Sequence, residues 1–397
     1  MKPLFIFTLL LSFPGLFSCQ SSHIQNYNRS GYIQSNINTL YLDQNFSKPI
    51  SFEIESEHDI FMLDSDMIAL VNEKLKKSYS PLKKSEALLH HIFSQDNIAL
   101  SYLSDANITA KEAFHSQTAN CMSLTIMAYA LAKKAGLRVD FQQVEVPEYW
   151  VRNGKYNLLT GHINLRIETK RKYDRTTIYT ADSLEIDFDP YVRKESFAKR
   201  KITKSTVLAM FYNNKGGQAL VKENYAMAYQ YFKAATQTDE SLSSAWGNLA
   251  VLYKLTNHNQ IAEKTYRHAI ALEKNNYTAL ANLAILLRKN HDTNEADRIE
   301  DKLKAKRDKN PYYHAVLADE AYYNSNYKQA LVHYKKAIKL NRKIHELHFG
   351  LAKVYYKMNK ISAAQKAMTM AIRFNKVKFT DNQYIAKLNF LKAEQLH

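Results

Sequence analysis

The 397-residue chain contains only two cysteines, Cys19 and Cys121, together with nine glycines and seven prolines. Two cysteines are too few for a disulfide-rich extracellular scaffold. Nine glycines leave little material for the glycine-rich loops that cradle phosphates, and we find no such loop. The one long apolar stretch, near the N-terminus, is too short to span a bilayer comfortably. The length suffices for two or three domains.

The N-terminus has the pattern of an export signal. Met1 and Lys2 precede the apolar stretch "PLFIFTLLLSFPGLF", and Ser18 then precedes Cys19. One positive charge, a short apolar core and a small residue before the cleavage point predict a signal peptide over residues 1–18. The segment "LFSC" resembles the lipobox of bacterial lipoproteins, which implies that Cys19 is lipidated. A plain secretory signal is the alternative.

The lipobox resemblance places the protein in a bacterial cell envelope. Gln20 stands where an aspartate often signals retention in the inner membrane, so we expect the outer membrane, facing the periplasm. The following "QSSHIQNYNRSGYIQSNINT" is polar, and residues 19–40 are therefore predicted to be the lipidated cysteine and a flexible tether. If lipid occupies Cys19, Cys121 has no partner for an intramolecular disulfide.

Charge divides the chain into two halves. Residues 1–199 contain 22 basic and 22 acidic residues, whereas residues 200–397 contain 33 basic and 16 acidic ones, which accounts for the whole net charge of +17. This asymmetry predicts two domains with different partners.

The basic half has a 34-residue period. Small residues recur in two series twelve residues apart: Gly216, Ala250, Ala284, Ala318 and Ala352, and then Ala228, Ala262, Ala296, Ala330 and Ala364. This period predicts stacked helix pairs. Segments such as "NQIAEKTYRHAIALEKN" and "WGNLAVLY" resemble the tetratricopeptide (TPR) consensus. The resemblance implies five TPR repeats over residues 205–376, an all-α solenoid, with residues 377–397 as a capping helix.

TPR arrays bind proteins or peptides in a concave groove. A basic groove favours acidic segments or phosphorylated polymers, although lysines that only solvate outer helix faces are an equal alternative. The basic surface could also lie against anionic lipid head groups. Nucleic acid is not expected as a partner of an exported, membrane-tethered chain.

Cys121 is predicted to open a helix. In "NCMSLTIMAYALAKKAG", apolar residues recur at helical spacing, Asn120 suits the N-cap, and Gly136 ends the segment. Cys121 would then lie in the first turn, where the helix dipole and unpaired backbone N–H groups stabilise a thiolate. A cysteine inside a helix is more often a small core residue, but this one precedes the apolar stripe.

Two later segments alternate with the period of a β-strand. In "GHINLRIE", His162, Asn164 and Arg166 face away from the apolar residues, and in "SLEIDFDPY", Glu185, Asp187 and Asp189 do so. Neighbouring antiparallel strands would bring His162 and an aspartate to one face as a base and its orienting carboxylate. Alternatively, the histidine is solvated and the aspartate caps a turn.

The order of Cys121, His162 and Asp187 resembles the transglutaminase-like superfamily, relatives of papain. The resemblance covers about residues 60 to 195 and implies an α+β domain over residues 41–200. It further implies that Cys121 is the nucleophile, His162 the general base and acid, and Asp187 the orienting group. Asp189 is the alternative third member.

The family pattern is not complete in this chain. Asn120 and Met122 flank the cysteine where members often have other residues, and no tryptophan follows His162. Tyr149 and Trp150 are candidates for the missing aromatic shield.

The sequence predicts a multidomain protein: a lipid anchor, a transglutaminase-like domain for cysteine-dependent acyl transfer or amide hydrolysis, and a TPR array that recruits its protein or peptide substrate. A non-catalytic scaffold lipoprotein is the alternative. No cofactor is expected. No metal is expected either, because "HELH" at residues 345–348 is one residue short of the zinc protease motif.

Overall fold

The computed structural model describes residues 37–47, 52–78, 80–93, 101–102, 107–116, 118–153, 156–169, 183–188, 197–375 and 378–394. Cys19, the predicted signal peptide and Asp189 lie outside the described residues. The chain divides into two compact units. The first contains residues 37–146 and 161–286, and the second contains residues 147–160 and 287–394, where these are described.

The first unit begins with short helices that lead to the cysteine helix. These are α1 (Glu57–Phe61), α2 (Ser65–Leu70), α3 (Pro81–Phe93), α4 (Ala110–His115) and α5 (Cys121–Lys134). Capping boxes begin α1 and α4, at Ser56 and Thr109. A π-helical turn, Val71–Leu75, follows α2 directly.

The described residues contain six strands: β1 (Ser101–Tyr102), β2 (Thr118–Ala119), β3 (Val139–Asn153), β4 (Tyr156–Glu168), β5 (Ser183–Ile186) and β6 (Lys199–Ile202). β1 and β2 pair in parallel, and the other four form a sheet in the order β5-β4-β3-β6. β5 lies antiparallel to β4 with Leu165 opposite Ile186, so apolar residues alternate onto one buried face.

The C-terminal half consists of helix pairs with the predicted period. The first helices of the pairs are α6 (Lys204–Val221), α8 (Ser243–Leu255), α10 (Tyr277–Lys289), α12 (Pro311–Tyr323) and α14 (His345–Lys357). The second helices are α7 (Tyr225–Thr238), α9 (Asn259–Leu272), α11 (Thr293–Arg307), α13 (Tyr327–Leu340) and α15 (Ile361–Phe374). All ten small residues of the two predicted series are buried, because adjacent helices approach closely there.

The turn inside each helix pair repeats one backbone conformation. Five residues that are not glycine have positive φ angles between 57° and 67°, again 34 positions apart: Glu223, Asn257, His291, Ser325 and Asn359. In this left-handed conformation, the N–H groups of the residues that follow the helix turn back and donate to its last carbonyls. Its recurrence shows that the turns as well as the helices follow the repeat.

The last helix, α16 (Lys378–Glu394), follows the fifth repeat. The sequence predicts an apolar face through Ile385, Leu388 and Leu391. In the structure Tyr384 and Leu391 are buried, whereas Ile385 is 44% exposed. Leu391 is buried as the spacing predicts, but Tyr384 takes the place of Ile385, because its hydroxyl lies 2.9 Å from Nδ1 of His345 and its ring stacks on Phe349.

Residues 37–47, which we call the N-terminal strap, pack on α7 and α8. A 3₁₀ turn, Ile37–Leu40, begins the strap at the end of the predicted tether. Phe46 is 6% exposed and stacks on Tyr229 at a centroid distance of 4.8 Å. The hydroxyl of Tyr253 donates to the carbonyl of Leu40 at 2.7 Å. The strap is therefore part of the folded first unit.

One hydrophobic core joins the cysteine helix to the beginning of the array. This core contains Cys121 and Met127 of α5, Leu165 of β4 and Phe211 of α6. The described residues of the first unit therefore do not separate the two predicted domains by a linker. None of the helices in the described part of the chain combines the length and apolar character that crossing a membrane requires.

A buried ion pair joins two segments of the second unit. Arg307, 6% exposed, donates through Nε and Nη2 to the two carboxylate oxygens of Glu148, at 3.2 Å each. Asn310 donates to the carbonyl of Glu148 at 3.0 Å. The two hydrogen bonds to Glu148 compensate for the hydration that the buried guanidinium of Arg307 has lost. It fixes the end of α11 to residue 148 of β3.

Candidate functional site

The predicted nucleophile lies where the sequence indicates, in the first turn of α5. The side chain of Asn120 caps the helix by accepting from the N–H of Ser123 at 2.8 Å. Ser123 in turn accepts from the N–H of Ile108 at 2.9 Å, which holds the preceding loop against the helix. The first N–H groups of a helix have no intrahelical acceptor, so the helix start around Cys121 is locally positive.

Cys121 is buried, with 9% of its surface exposed, and it is not part of a disulfide among the described residues. Leu124, Met127, Ala128 and Leu131 on the same helix are also buried, as predicted. Ala135 caps the C-terminus of the helix, and Gly136 follows it with a φ of +76°, which a residue with a side chain adopts only with strain. The cysteine therefore lies on a helix that is fixed at both ends and along its length.

His162 and Asp187 meet across β4 and the end of β5. His162 Nε2 lies 2.8 and 2.9 Å from the two carboxylate oxygens of Asp187, and both side chains are nearly fully buried. The pairing of Leu165 with Ile186 sets the register that brings these two side chains to one face. This is the face on which the sequence places both residues.

Asn164 is a third member of this arrangement. It is 1% exposed, and its Nδ2 donates to Asp187 Oδ2 at 3.0 Å. Its Oδ1 is buried and accepts no hydrogen bond from the described residues. Sequence reasoning placed Asn164 on the face of His162 but gave it no role. The available signal was its spacing of two residues from a candidate catalytic histidine on a strand.

The contact with Asp187 determines the tautomer of the imidazole. A carboxylate accepts hydrogen bonds, so Nε2 of His162 carries the proton and donates it. Nδ1 then has a lone pair that can accept a proton from a nucleophile. The carboxylate also stabilises the imidazolium that this transfer creates. The pair has the chemistry of a general base and its orienting group.

Four further candidate residues lie, wholly or in their side chains, outside what the structure describes. Asp189, the alternative orienting residue, and Cys19, the predicted lipidation site, lie outside the described residues. The side chains of Tyr149 and Trp150, the candidate shield, also lie outside what the structure describes. The roles assigned to Cys121, His162 and Asp187 remain predictions.

A cavity of about 520 Å³ lies near the other end of α5. Its lining includes Lys134, the last residue of that helix, with Phe61, Ile68 and Lys204. At about 1.5 Å per residue, Lys134 is about 20 Å along the helix from Cys121. None of Cys121, His162 and Asp187 lines this cavity.

Asp64, Asp66 and His115 place their ligand atoms within 4.8 Å of one another. Asp64 already caps α2 by accepting from the N–H of Met67, and it bonds His115 Nε2 at 2.6 Å. Partial burial raises the pKa of Asp64, but these hydrogen bonds outweigh that effect and lower it. A helix cap and an ion pair account for the group without a metal.

Two segments of the C-terminal half match known family models. Residues 243–276 match a model described as tetratricopeptide repeat, and residues 318–359 match one described as TPR repeat. The matches agree with the helix pairs and their period. The C-terminal half is therefore a TPR array, and the prediction of TPR repeats is confirmed. No curated protein matches the chain.

Solved structures similar to part of this chain include the following three. PilF of Pseudomonas aeruginosa is 19% identical over 49% of this chain and 94% of its own, with a TM-score of 0.28. YrrB, described as a TPR protein with an unusual peptide-binding site, is 12% identical over 44% and 90%, with a TM-score of 0.25. A chain of the APC/C assembly Cut9-Hcn1 is 18% identical over 47%, with a TM-score of 0.28, and this chain spans 36% of it.

Proposed function

We propose that this protein is a transglutaminase-like cysteine acyltransferase or amide hydrolase that acts on a protein or peptide recruited by its TPR array. TPR repeats indicate a protein-interaction role. The observation that carries the catalytic part is the buried hydrogen bond between His162 and Asp187, on a domain in which Cys121 begins a helix. A buried base with an orienting carboxylate, in the same unit as a thiol at a helix start, supports the proposal of a cysteine nucleophile.

The proposed reaction begins with transfer of the Cys121 proton to His162 Nδ1. The thiolate attacks the carbonyl carbon of a carboxamide or peptide, and the backbone N–H of Cys121 is one donor to the oxyanion, an interaction of about 3 kcal/mol. The C–N bond then breaks as His162 protonates the departing ammonia or amine. Water or a lysine amine resolves the thioester, giving hydrolysis or cross-linking.

We further propose that the protein is held in the bacterial envelope, with lipid on Cys19, on the periplasmic face of the outer membrane. The support is the "LFSC" segment and the polar residues after it. Metabolic labelling with a palmitate analogue tests this, since a Cys19→Ser variant would lose both the label and sedimentation with membranes. A wild-type protein without label would refute the lipid anchor.

The catalytic proposal is tested by labelling Cys121 with iodoacetamide across a pH series. We expect an inflection below about pH 7 in the wild type, because helix start and imidazole both favour the thiolate. In His162→Ala the inflection moves toward about 8.5, the value of an ordinary thiol. The exposed His90→Ala variant is the control and keeps the wild-type profile.

A non-catalytic adaptor is the second candidate, and one observation favours it. Cys121 is 9% exposed and belongs to the hydrophobic core of the first unit. A thiol that iodoacetamide labels only after urea unfolding, with the same profile in the wild type and in His162→Ala, would select this candidate. The TPR array would then act alone.

A further inference from the structure

A small cavity opens between the first helices of the fourth and fifth repeats, α12 and α14. Its volume is about 90 Å³. Apolar and aromatic side chains form its walls, and two carboxylates face it. We call it the repeat 4–5 notch, and define it by Tyr312, Val316, Asp319, Tyr334, Glu346 and Leu347. All of these residues belong to the second unit.

Asp319 is held in a fixed position in the notch. The hydroxyl of Tyr334, a residue only 3% exposed, donates to Asp319 Oδ1 at 2.6 Å. Tyr334 can reach Asp319 because position 350 is glycine. A Cβ at Gly350 would overlap the tyrosine ring. Oδ2 of Asp319 accepts no hydrogen bond from the residues that the structure describes, so it remains available to a ligand.

Among the five repeats, only the fourth has a carboxylate at this position. The positions that correspond to Asp319 in the other repeats, 34 residues apart, are Gly217, Val251, Ile285 and Lys353. The repeat pattern therefore does not require an acid here. An acid held by a buried tyrosine, at a position where the neighbours are apolar or basic, is a local specialisation.

Lys353 forms a long ion pair with Asp319. Its Nζ lies 3.5 Å from Oδ1, beyond a good hydrogen bond. The same Nζ lies over the rings of Tyr322 and Phe349, at 5.3 and 5.5 Å from their centroids. These cation–π contacts would keep the Lys353 charge in place while another cation takes the carboxylate.

We propose that the repeat 4–5 notch binds the side chain of a lysine or arginine presented by a peptide segment of a partner protein. The aliphatic stem packs against Tyr312, Val316 and Leu347, while the charged end meets Asp319 and Glu346. The proposal deepens the interaction role of the TPR array and does not depend on chemistry at Cys121. The proposal predicts a basic residue in the partner at this contact, even though the array around the notch is itself basic.

Selection from a phage-displayed library of random decapeptides tests the proposal on the full-length protein. We expect lysine or arginine to be enriched at one position of the peptides selected by the wild type. Asp319→Asn keeps the size of the side chain and should lose this enrichment. Asp301→Asn removes an equal charge from an exposed site on α11 and should keep it.

A titration then measures the strength of the contact. The most enriched peptide, resynthesised with norleucine in place of its basic residue, should bind the wild type at least about tenfold more weakly. Tyr334→Phe, which releases Asp319 without removing its charge, should weaken the original peptide in the same direction. Circular dichroism of each variant confirms that it is folded.

The notch proposal is wrong if the selected peptides show no preference for a basic residue, or if Asp319→Asn selects the same basic residue as the wild type. Peptide binding by the array would still hold in both cases. Failure of the wild type to select any peptide would overturn both. Neither result bears on the labelling of Cys121, so the catalytic proposal stands or falls separately.

Discussion

The hydrogen-bonded group of His162, Asp187 and Asn164 could be predicted from the sequence only in part. Alternation along a strand placed His162 and Asn164 on one face, because side chains on a strand have a period of two. The same period placed Asp187 on the matching face of its own strand. What alternation could not supply was the register between strands, which decides that Asn164 donates to Asp187. Register depends on contacts 23 residues apart and not on local pattern.

Two adjacent glycines in α6 have opposite roles and allow a matched prediction. A Cβ at Gly216 would lie 2.6 Å from the ring of Phe232, whereas a Cβ at Gly217 has nothing within 4 Å. Gly216→Ala should lower the free energy of unfolding by about 1–3 kcal/mol through overpacking. Gly217→Ala should raise it by about 0.5–1 kcal/mol, because alanine is the better helix former.

Urea denaturation of the two variants measures both effects. A Gly216→Ala protein as stable as the wild type would show that Phe232 moves aside without cost. Adding Phe232→Leu to Gly216→Ala should recover part of the loss, because the smaller side chain leaves room for the new methyl group.

Among the elements, the repeated turn stores a small strain at every helix pair. Ser325 has φ of 60° and Asn359 has φ of 57°. A left-handed backbone costs an ordinary residue about 1–2 kcal/mol, whereas asparagine adopts it more readily. We therefore expect Ser325→Gly to stabilise the protein by about 0.5–1 kcal/mol, after allowing for the greater chain entropy of glycine.

Thermal unfolding provides the comparison, with Asn359→Gly as the control for the same change in the equivalent turn. The control should shift the midpoint less than Ser325→Gly does. Equal shifts, or a loss of stability in Ser325→Gly, would mean that the left-handed turn carries no relievable strain.

The N-terminal strap is an element that depends on one buried ring. Phe46→Ala removes a side chain that is 6% exposed and packs on Tyr229. Burial of this kind predicts a loss of about 3–5 kcal/mol in the free energy of unfolding. Limited proteolysis should then cut near residue 46 before the rest of the chain is degraded.

Phe390→Ala makes the same substitution at a ring that is 52% exposed, and it should change stability little. A Phe46→Ala protein that resists protease as well as Phe390→Ala would show that the strap is held by its hydrogen bonds alone. Those bonds include the one from the Leu42 N–H to the hydroxyl of Tyr229, at 2.9 Å.

The repeats and the strap differ in how far the sequence predicts them. Each repeat buries the same positions against its neighbours, so Ala228 and Ala262 have a common physical cause and a visible period. The strap has no period, because Phe46 meets Tyr229 across more than 180 residues of chain. The bond between Arg307 and Glu148 is of the same kind, spanning 159 residues. Such pairs occur once and leave no pattern.

At the scale of the whole molecule, buried histidines make stability depend on pH. Burial lowers the pKa of four described histidines below the usual 6.5: His91, His268, His314 and His333. The folded protein therefore binds fewer protons than the unfolded chain between 6.5 and these lower values. Stability is full above pH 6.5 and is lost as the pH falls through the folded-state pKa values. Urea unfolding between pH 7.5 and 5 should show this decline.

Carboxylates do not account for a decline in that range. The lowered pKa of Asp43, Asp239 and Asp308 makes their contribution fade at more acidic pH. His268→Gln should flatten the curve between pH 6.5 and 5, whereas His58→Gln, at an exposed position, should leave its slope unchanged. An unaltered slope in His268→Gln would exclude this histidine as a source of the dependence.

The position of the strap also limits how far the first repeats can lie from a lipid on Cys19. We call the chain between Cys19 and the strap the leash. If Cys19 carries the lipid, 18 peptide units join it to Ile37, the first residue of the strap. A fully extended chain covers about 3.5 Å per residue, so the leash reaches at most about 60 Å from the bilayer surface. Because the strap is clamped to α7 and α8, that radius is measured from the first two repeats. A partner bound at the first two repeats would therefore lie within reach of this leash, close to the membrane surface.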